Sequence, residues 1–340
     1  MSMNAKAQDL YPSRGGRQAT LEPRIDPVVH APADRQPPVS RDVIDAYEER
    51  GFLVLEALFS EAEIAAMTAE LDRLRGDALI AQRPEAIRER ETGALRSLFR
   101  VHQLSPLFAA VAADPRLVEL ARYILDDEVY IHQSRLNYKP GFGGKEFYWH
   151  SDFETWHVED GMPRMRALSI SISLTRNHAH NGPLLLLPGS HRSYVVCTGE
   201  TPANHYQQSL VKQEYGVPSD DCLRRLAEQS GEVVAAVGPP GTTTVFDCNV
   251  MHGSNGNITP DPRSNVFFVY NAMSNGLREP YCGHPPRPGF IATRGNVQPL
   301  APAPLNLASA PCGPPAFSRP APGPRRPGGG FAHCLRRQGK

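Results

Sequence analysis

Apolar and polar positions along the first third of the chain follow a helical spacing. Residues 41–52 form one such pattern. Ser60, followed by Glu63, has the form of a capping box that opens a helix running to about Gly76, because apolar side chains recur there at three- and four-residue intervals. A further helix is predicted for residues 115–125.

From residue 127 onward the pattern changes to an alternation of period two with many β-branched residues, bounded by Gly, Pro and Asn. The predicted strands are EVYIHQSRLNYKP (128–140), ALSISISLT (167–175), GPLLLLPGSH (182–191), GEVVAAV (231–237), TTTVFD (242–247) and NVFFVYNAMS (265–274). Helices followed by many strands favour a β-sandwich or barrel backed by N-terminal helices.

Composition divides the chain into three parts. Residues 1–40 are rich in Pro and Arg and lack periodicity, so we expect a partly ordered N-terminal arm. Residues 41–300 carry the patterned segments and are predicted to form a single domain. Residues 301–340 contain nine Pro, six Gly and no Asp or Glu. Because that composition cannot build a packed core, we expect a disordered tail.

Charge and cysteine content narrow the class of protein. Lys plus Arg and Asp plus Glu both number 36, so the overall balance indicates neither a nucleic-acid nor a membrane partner. No run of 18 apolar residues indicates a membrane span. The six cysteines form no CxxC pair, which is typical of reduced thiols, and the expected location is the cytoplasm.

A metal-ligand pattern lies in the sequence FYWHSDFETWH, where His150 and Asp152 are two residues apart, with His252 about a hundred residues later. Residues i and i+2 of a strand point to the same face, so the pair is predicted to offer an imidazole and a carboxylate to one ion. A distant His on a neighbouring strand completes the facial triad of Fe(II) oxygenases. Three sites on the ion would then be open to a 2-oxo acid and O2.

Arg263, eleven residues after His252, strengthens this interpretation. On a strand it would lie deeper in the barrel, where a guanidinium pairs with the distal carboxylate of 2-oxoglutarate. An HxD pair alone is weak evidence, but HxD, then a distal His, then Arg is hard to obtain by chance. The residues therefore predict Fe(II)- and 2-oxo-acid-dependent chemistry.

Longer stretches resemble a known family. Residues 147–174, 132–147 and 181–191 resemble the ectoine hydroxylase family within the phytanoyl-CoA dioxygenase-like group, and the likeness covers roughly residues 8–300. It implies a mostly β fold with flanking helices around a double-stranded β-helix (jelly-roll, cupin-like) core. The implied reaction is the hydroxylation of ectoine to 5-hydroxyectoine, a compatible solute in osmostress protection, with Fe(II), 2-oxoglutarate and O2. The resemblance also implies a homodimer.

The same resemblance implies roles for further residues. Those matched to the 2-oxoglutarate site are Lys139, Phe147, Ser169, Ser254 and Arg263. Those matched to the ectoine site are Gln133, Trp156, Phe246 and Asn265. Ectoine is a cyclic amidinium carboxylate, so aromatic faces for its cation and polar groups for its carboxylate suit it chemically.

Plainer structural interpretations exist for several of these residues. We expect Trp156 to lie in a strand, and a tryptophan in a strand is usually part of the core. Gln133 shares a strand face with Ile131, which leaves its direction ambiguous, and Lys139 could be a surface charge at a strand end. His157, of opposite parity to the metal ligands, is expected on the other sheet face.

Two other functions stay open at this point. One is an Fe(II)/2-oxoglutarate hydroxylase of another small substrate such as proline or an acyl-CoA. The other is a catalytically inactive, cupin-like binding protein, which the presence of both the triad and Arg263 disfavours. Iron-dependent release of succinate separates an enzyme from a binding protein.

Overall fold

Two antiparallel sheets lie face to face and form the predicted jelly roll. The computed structural model describes residues 9–89, 93–210 and 213–307. Its α-helices are α1 (Arg41–Arg50), α2 (Glu61–Gly76), α3 (Ala78–Ala81), α4 (Val101–Leu104), α5 (Pro106–Ala112), α6 (Pro115–Leu125), α7 (Asp152–Asp160), α8 (Tyr206–Ser209) and α9 (Asp220–Ser230). Two short 3-10 helices are Ser190–Arg192 and Met273–Asn275.

Thirteen strands lie in the described residues, and from residue 129 onward most of them alternate between the two sheets. They are β1 (Thr20–Pro23), β2 (Phe52–Leu55), β3 (Ala86–Arg88), β4 (Leu95–Phe99), β5 (Val129–Lys139), β6 (Phe147–His150), β7 (Ala167–Ser173), β8 (Leu184–Leu186), β9 (Ser193–Val196), β10 (Val234–Ala235), β11 (Thr243–Asp247), β12 (His252–Ser254) and β13 (Arg263–Ala272). The larger sheet has the order β2-β11-β7-β13-β5-β4-β3, and the smaller one the order β10-β8-β12-β6.

Each face of the larger sheet packs against a different layer. Its outer face meets helices α1, α2, α5 and α6 in the main apolar core. On its inner face, Phe246 and Phe267 pack against Leu184 and Leu186 of the smaller sheet. The space between the two sheets is therefore closed by apolar contacts at one end, and polar side chains share the rest of the inner face.

Most predicted elements are confirmed. Helices α1, α2 and α6 have nearly the predicted bounds, and Ser60 and Glu63 form both hydrogen bonds of the capping box. Every predicted strand segment contains a strand, although GEVVAAV yields only the two residues of β10. The remaining helices, α7 among them, are not predicted by the sequence pattern. All nine residues of α7 are buried, so the helix has no solvent-exposed face, and its polar and apolar residues form no amphipathic pattern.

The segment before residue 41 packs along the domain. Strand β1 pairs with β9, and Tyr11 is buried with its hydroxyl donating to Asp26 at 2.7 Å. At the other end, the backbone N–H of Leu305 donates to Asp114 at 3.1 Å. The division into an arm, a domain and a tail stays a prediction, and most of the predicted tail, residues 308–340, lies outside the described residues.

No helix in the described part of the chain is long and apolar enough to cross a bilayer. Four cysteines there are free thiols, namely Cys197, Cys222, Cys248 and Cys282.

Candidate active site

Three side chains with metal-ligating atoms converge where β6 and β12 meet α7. His150 ends β6, Asp152 begins α7 and His252 begins β12. The two histidines lie directly opposite each other in the antiparallel pairing of β6 with β12. Nε2 of His150 is 3.8 Å, and Nε2 of His252 is 3.9 Å, from Oδ1 of Asp152. They are the one group of three or more possible metal ligands among the described residues, and their ligand atoms all lie within 4.8 Å of one another.

The connection between the first two ligands differs from the expected one. We expected His150 and Asp152 on one strand, but the strand ends at His150 and Ser151 caps α7, so that expectation was wrong. The carboxylate comes from the first turn of a helix instead. Ser169, one of the predicted 2-oxoglutarate residues, donates to its Oδ2 at 3.4 Å. Burial disfavours the charged carboxylate, but His252, His150, Arg135 and the Ser169 hydroxyl together outweigh burial and lower the pKa of Asp152.

Backbone carbonyls fix the orientation of both imidazoles. Nδ1 of His150 donates to the carbonyl of Tyr148 at 2.8 Å, and Nδ1 of His252 donates to that of Val250 at 3.0 Å. Because a carbonyl only accepts, each Nδ1 carries a proton, which leaves each Nε2 as the atom that can face a metal ion. Burial, and then His252, lower the pKa of His150 to about 3, so the His150 imidazole is neutral. Two imidazole nitrogens and one carboxylate are the donors that Fe(II) takes in a facial triad.

Four of the five predicted 2-oxoglutarate residues line one cavity beside the two histidines. They are Lys139, Phe147, Ser254 and Arg263. Arg263 lies directly opposite Lys139 in the pairing of β13 with β5. Nζ of Lys139 donates to Oγ of Ser254 at 2.9 Å, and the ring of Phe147 meets that of His150 edge-on with centroids 4.8 Å apart.

Two cations that line this cavity, Lys139 and Arg263, have no counter-ion. Lys139 is 8% and Arg263 is 4% exposed, and neither forms an ion pair within the described part of the chain. Burial, followed by the charges of Arg263 and Arg96, lowers the pKa of Lys139 to about 6. Burial, followed by Arg135, lowers the pKa of Arg263 to about 10. Because an uncompensated buried charge is costly, the cavity is built to receive an anion.

The residues predicted to bind ectoine do not line this cavity. Phe246 lies on the inner face of the larger sheet, and its ring centroid is 5.1 Å from that of His252. Trp156 lies on helix α7 and not on a strand, contrary to expectation, and its ring is 5.1 Å from that of His132. His157 was also expected on a sheet but lies buried on the same helix.

Gln133 and Asn265 are the two polar residues predicted to bind ectoine, and their side-chain amides are already hydrogen-bonded. Nε2 of Gln133 donates to the carbonyl of Ile291 at 2.8 Å. Nδ2 of Asn265 donates to Oγ of Ser171 at 2.9 Å. The two amide oxygens also accept one bond each, from Arg135 and Asn177, so each amide keeps one N–H and one oxygen lone pair for a substrate.

A β-bulge decides the direction of Gln133. In the pairing of β5 with β13, Gln133 is opposite Val269 and Ile131 is opposite Tyr270, so His132 is an extra residue. Ile131 packs in the outer core. Strict alternation would put Gln133 and Ile131 on the same face of the sheet. Because of the bulge they lie on opposite faces, and both His132 and Gln133 point inward.

Arg135 is a site residue that the sequence reasoning missed. It lines the cavity, Nη1 donates to Oε1 of Gln133 at 3.0 Å, and the guanidinium lies 5.0 Å from the ring centroid of Phe267. Its Nε is buried and has no hydrogen-bond partner among the described residues. The alternation of Gln133, Arg135, Asn137 and Lys139 along one strand was the signal that could have found it.

A jelly roll with two imidazoles and one carboxylate on a buried face, beside a cavity that contains unpaired cations, defines a non-haem Fe(II) oxygenase that uses a 2-oxo acid. The chain belongs to the phytanoyl-CoA dioxygenase (PhyH) family, whose family model matches residues 47–265.

Proteins of high identity to this chain include ectoine dioxygenases. The ectoine dioxygenase of Sphingopyxis alaskensis is 55% identical over 288 residues, which cover 85% of this chain and 94% of that protein. The crystal structure of EctD from S. alaskensis with 2-oxoglutarate and 5-hydroxyectoine has a TM-score of 0.79 at 49% identity and covers 88% of this chain and 100% of that one. The structure of the same protein with bound Fe matches equally well, with a TM-score of 0.79 at 49% identity and the same coverage, 88% and 100%. The predicted fold class, enzyme class and family are confirmed.

Replacing Lys139 by Met is expected to stabilise the metal-free, ligand-free protein by about 2 kcal/mol at pH 7, because folding of the variant neither deprotonates an amine nor buries an unpaired charge. The ordinary pKa of 10.5 falls to about 6 in the folded protein, so the unfolded chain binds more protons between these values. The advantage is thus absent above pH 10.5, grows as the pH falls and is complete below about 6. Urea unfolding across this pH range measures it.

Arg224→Met is the matched control, since Arg224 is an exposed cation paired with Asp221 on the surface. It should change the free energy of unfolding by less than about 0.5 kcal/mol. A Lys139→Met protein less stable than the wild type at pH 7 would contradict the assignment of an unpaired buried cation.

Proposed function

We propose that the protein is an ectoine dioxygenase that converts ectoine to 5-hydroxyectoine. One O2 and one 2-oxoglutarate are consumed for each ectoine, and succinate and CO2 are released with the product. The observation that carries the proposal is the buried triad beside unpaired cations, in a chain 49% identical to an EctD crystallised with 2-oxoglutarate and 5-hydroxyectoine.

In this proposal His150, Asp152 and His252 hold the metal ion. Fe(II) bound there supplies the redox chemistry that couples decarboxylation of 2-oxoglutarate by O2 to hydroxylation of a ring C–H bond. The protein's own task is to keep both Nε2 atoms unprotonated and aimed inward, which the carbonyl bonds of the two Nδ1 atoms support.

The cations of the cavity anchor 2-oxoglutarate. Arg263 and Lys139 lie opposite each other on neighbouring strands, so one carboxylate between them can accept from both. The arriving anion compensates both buried charges and restores the charged form of Lys139. Ser254, already bonded to Lys139, adds a hydroxyl at the same end, and the ring of Phe147 covers the side toward the metal centre.

The substrate is held beside the metal centre by four residues outside this cavity, together with Arg135 from the cavity lining. Trp156 and Phe246 offer aromatic faces to the delocalised amidinium cation of ectoine. Gln133 and Asn265 offer amide oxygens and nitrogens, and Arg135, whose Nε is unpartnered among the described residues, offers a cation to the ectoine carboxylate. With both ends of the ring held, one CH2 faces the iron.

We extend the proposal to assembly and location. The family resemblance supports a homodimer, and the free thiols, three of them buried, support a reducing compartment such as the cytoplasm. The product would serve as a compatible solute under osmotic stress.

Light scattering during gel filtration should give twice the mass of the chain, and a mass equal to one chain would contradict the dimer.

Anaerobic reconstitution with Fe(II), followed by ectoine, 2-oxoglutarate and air, is the direct test of the activity. Mass spectrometry should detect ectoine that has gained one oxygen atom, with succinate formed in a one-to-one ratio. Product should fall at least 1000-fold in His252→Ala and Asp152→Ala, because each removes a ligand of the metal ion.

The other outcomes separate the competing functions. Succinate without a hydroxylated ectoine would keep the oxygenase and transfer the proposal to another small substrate, with proline tested next. Neither succinate nor product from folded, iron-loaded protein would favour a binding protein and overturn the proposed enzyme.

Arg263→Gln should raise the KM for 2-oxoglutarate about 10- to 100-fold, since it removes a charged hydrogen-bond donor from a buried carboxylate. The KM for ectoine should change less than about 3-fold. Trp156→Phe, which keeps an aromatic face of smaller area, should do the reverse and raise only the KM for ectoine. Steady-state kinetics with each substrate varied in turn measures both. Equal changes in the two constants in either variant would contradict the assignment of separate sites.

A further inference from the structure

Helix α7 carries an unusual number of buried charges. Four of its nine residues are carboxylates, and every residue of the helix is buried. The four are Asp152, Glu154, Glu159 and Asp160. Because buried carboxylates are stable only when paired and hydrogen-bonded, each needs a partner from another part of the chain.

Arg14 is the partner of carboxylates in both turns of the helix. Its Nε and Nη2 form a bidentate pair with Glu154, at 2.9 and 2.6 Å, and its Nη1 donates to Glu159 at 2.7 Å. The side chain is 2% exposed. Ser13 adds a hydroxyl that donates to Oε1 of Glu154 at 2.7 Å. The backbone of Arg14 is held in turn, since its N–H donates to the carbonyl of Cys197 at 2.9 Å.

The backbone packs closely around the Arg14–Glu154 ion pair. Gly216 has a φ of +71°, and a Cβ at this position would lie 2.3 Å from both Nη2 of Arg14 and Oε2 of Glu154. A glycine is therefore required for the backbone to close over the ion pair. The ion pair is enclosed on every side that the described residues show, which makes it a fixed attachment point and not a surface contact.

We propose that Arg14 is a positioning residue for the metal centre: by fixing both turns of helix α7, it sets the position of Asp152, the first residue of that helix. This inference rests on the proposed function, in which Asp152 is a metal ligand. A helix moves as a rigid unit, so a carboxylate two residues before Glu154 follows any shift of Glu154. Groups that orient a metal ligand from behind typically change metal affinity 10- to 100-fold when removed.

Arg24 provides a matched control from the same segment. It is also a buried arginine, with Nη1 donating to Asp247 at 2.7 Å, and its side chain is 4% exposed. It bonds as well to the carbonyl of Met165 at 3.1 Å, but it forms no hydrogen bond or ion pair with α7. Arg24→Gln should therefore cost stability of the same kind as Arg14→Gln without releasing the helix.

The test is Mn(II) binding to the full-length, metal-free protein, followed by electron paramagnetic resonance of the free ion. We expect Arg14→Gln to raise the Mn(II) dissociation constant about 10- to 100-fold. Arg24→Gln should change it less than about 3-fold, even where its melting temperature falls as far. Arg14→Lys, which keeps the charge but loses the bidentate fork, should give an intermediate value.

The outcomes separate the two proposals. If the wild type binds no Mn(II), or if His252→Ala binds it as tightly as the wild type, the metal centre itself is wrong and both proposals fail. Wild-type affinity in Arg14→Gln, or an equal loss in Arg24→Gln, overturns only the positioning role. If Arg14→Gln does not fold, Arg14→Lys and Ser13→Ala take its place, and unchanged affinity in both overturns the inference.

Discussion

The neutralisation of buried carboxylates on helix α7 is the constraint to which much of this structure responds. The helix gives its first carboxylate to the metal centre and presents the other three to cations from elsewhere. Arg14 reaches Glu154 and Glu159, and Arg287 forms a bidentate pair with Asp160 through Nε at 2.8 Å. The jelly-roll sheets supply neither arginine. The segments before residue 41 and after residue 276 therefore complete the charge pairing of this helix, which the strands alone do not.

Charge pairing separates structural from functional groups in this protein. On α7, acids are matched by bases at hydrogen-bonding distance, which stabilises one arrangement. In the cavity, Lys139 and Arg263 are buried without an anion, which destabilises the empty protein and leaves binding energy for a ligand. Activity and stability thus make opposite demands at that cavity, as is common where a site must receive a charged substrate.

The parts predictable from the sequence were those with a periodic or chemical signature. Alternation along β5, β7 and β13 predicted the larger sheet, and the HxD pair with a distant His predicted the metal ligands. Helix α7 could not be predicted, because a fully buried helix has no solvent-exposed face and its polar and apolar residues do not separate into an amphipathic pattern. The bulge at His132 was equally hidden, since one extra residue in a strand leaves no compositional mark. Without it, the inward direction of Gln133 rested on resemblance alone.

The separation in sequence between α7 and its partners has a consequence for how the protein is made. Arg14 precedes Glu154 by 140 residues, and Arg287 follows Asp160 by 127. While the helix leaves the ribosome, the arginine that pairs with Asp160 does not yet exist, so this carboxylate must stay hydrated. At about 5 to 20 residues per second, the ribosome adds that arginine roughly 6 to 25 seconds later. The charge pairing of helix α7 is therefore completed only when most of the described chain has been made.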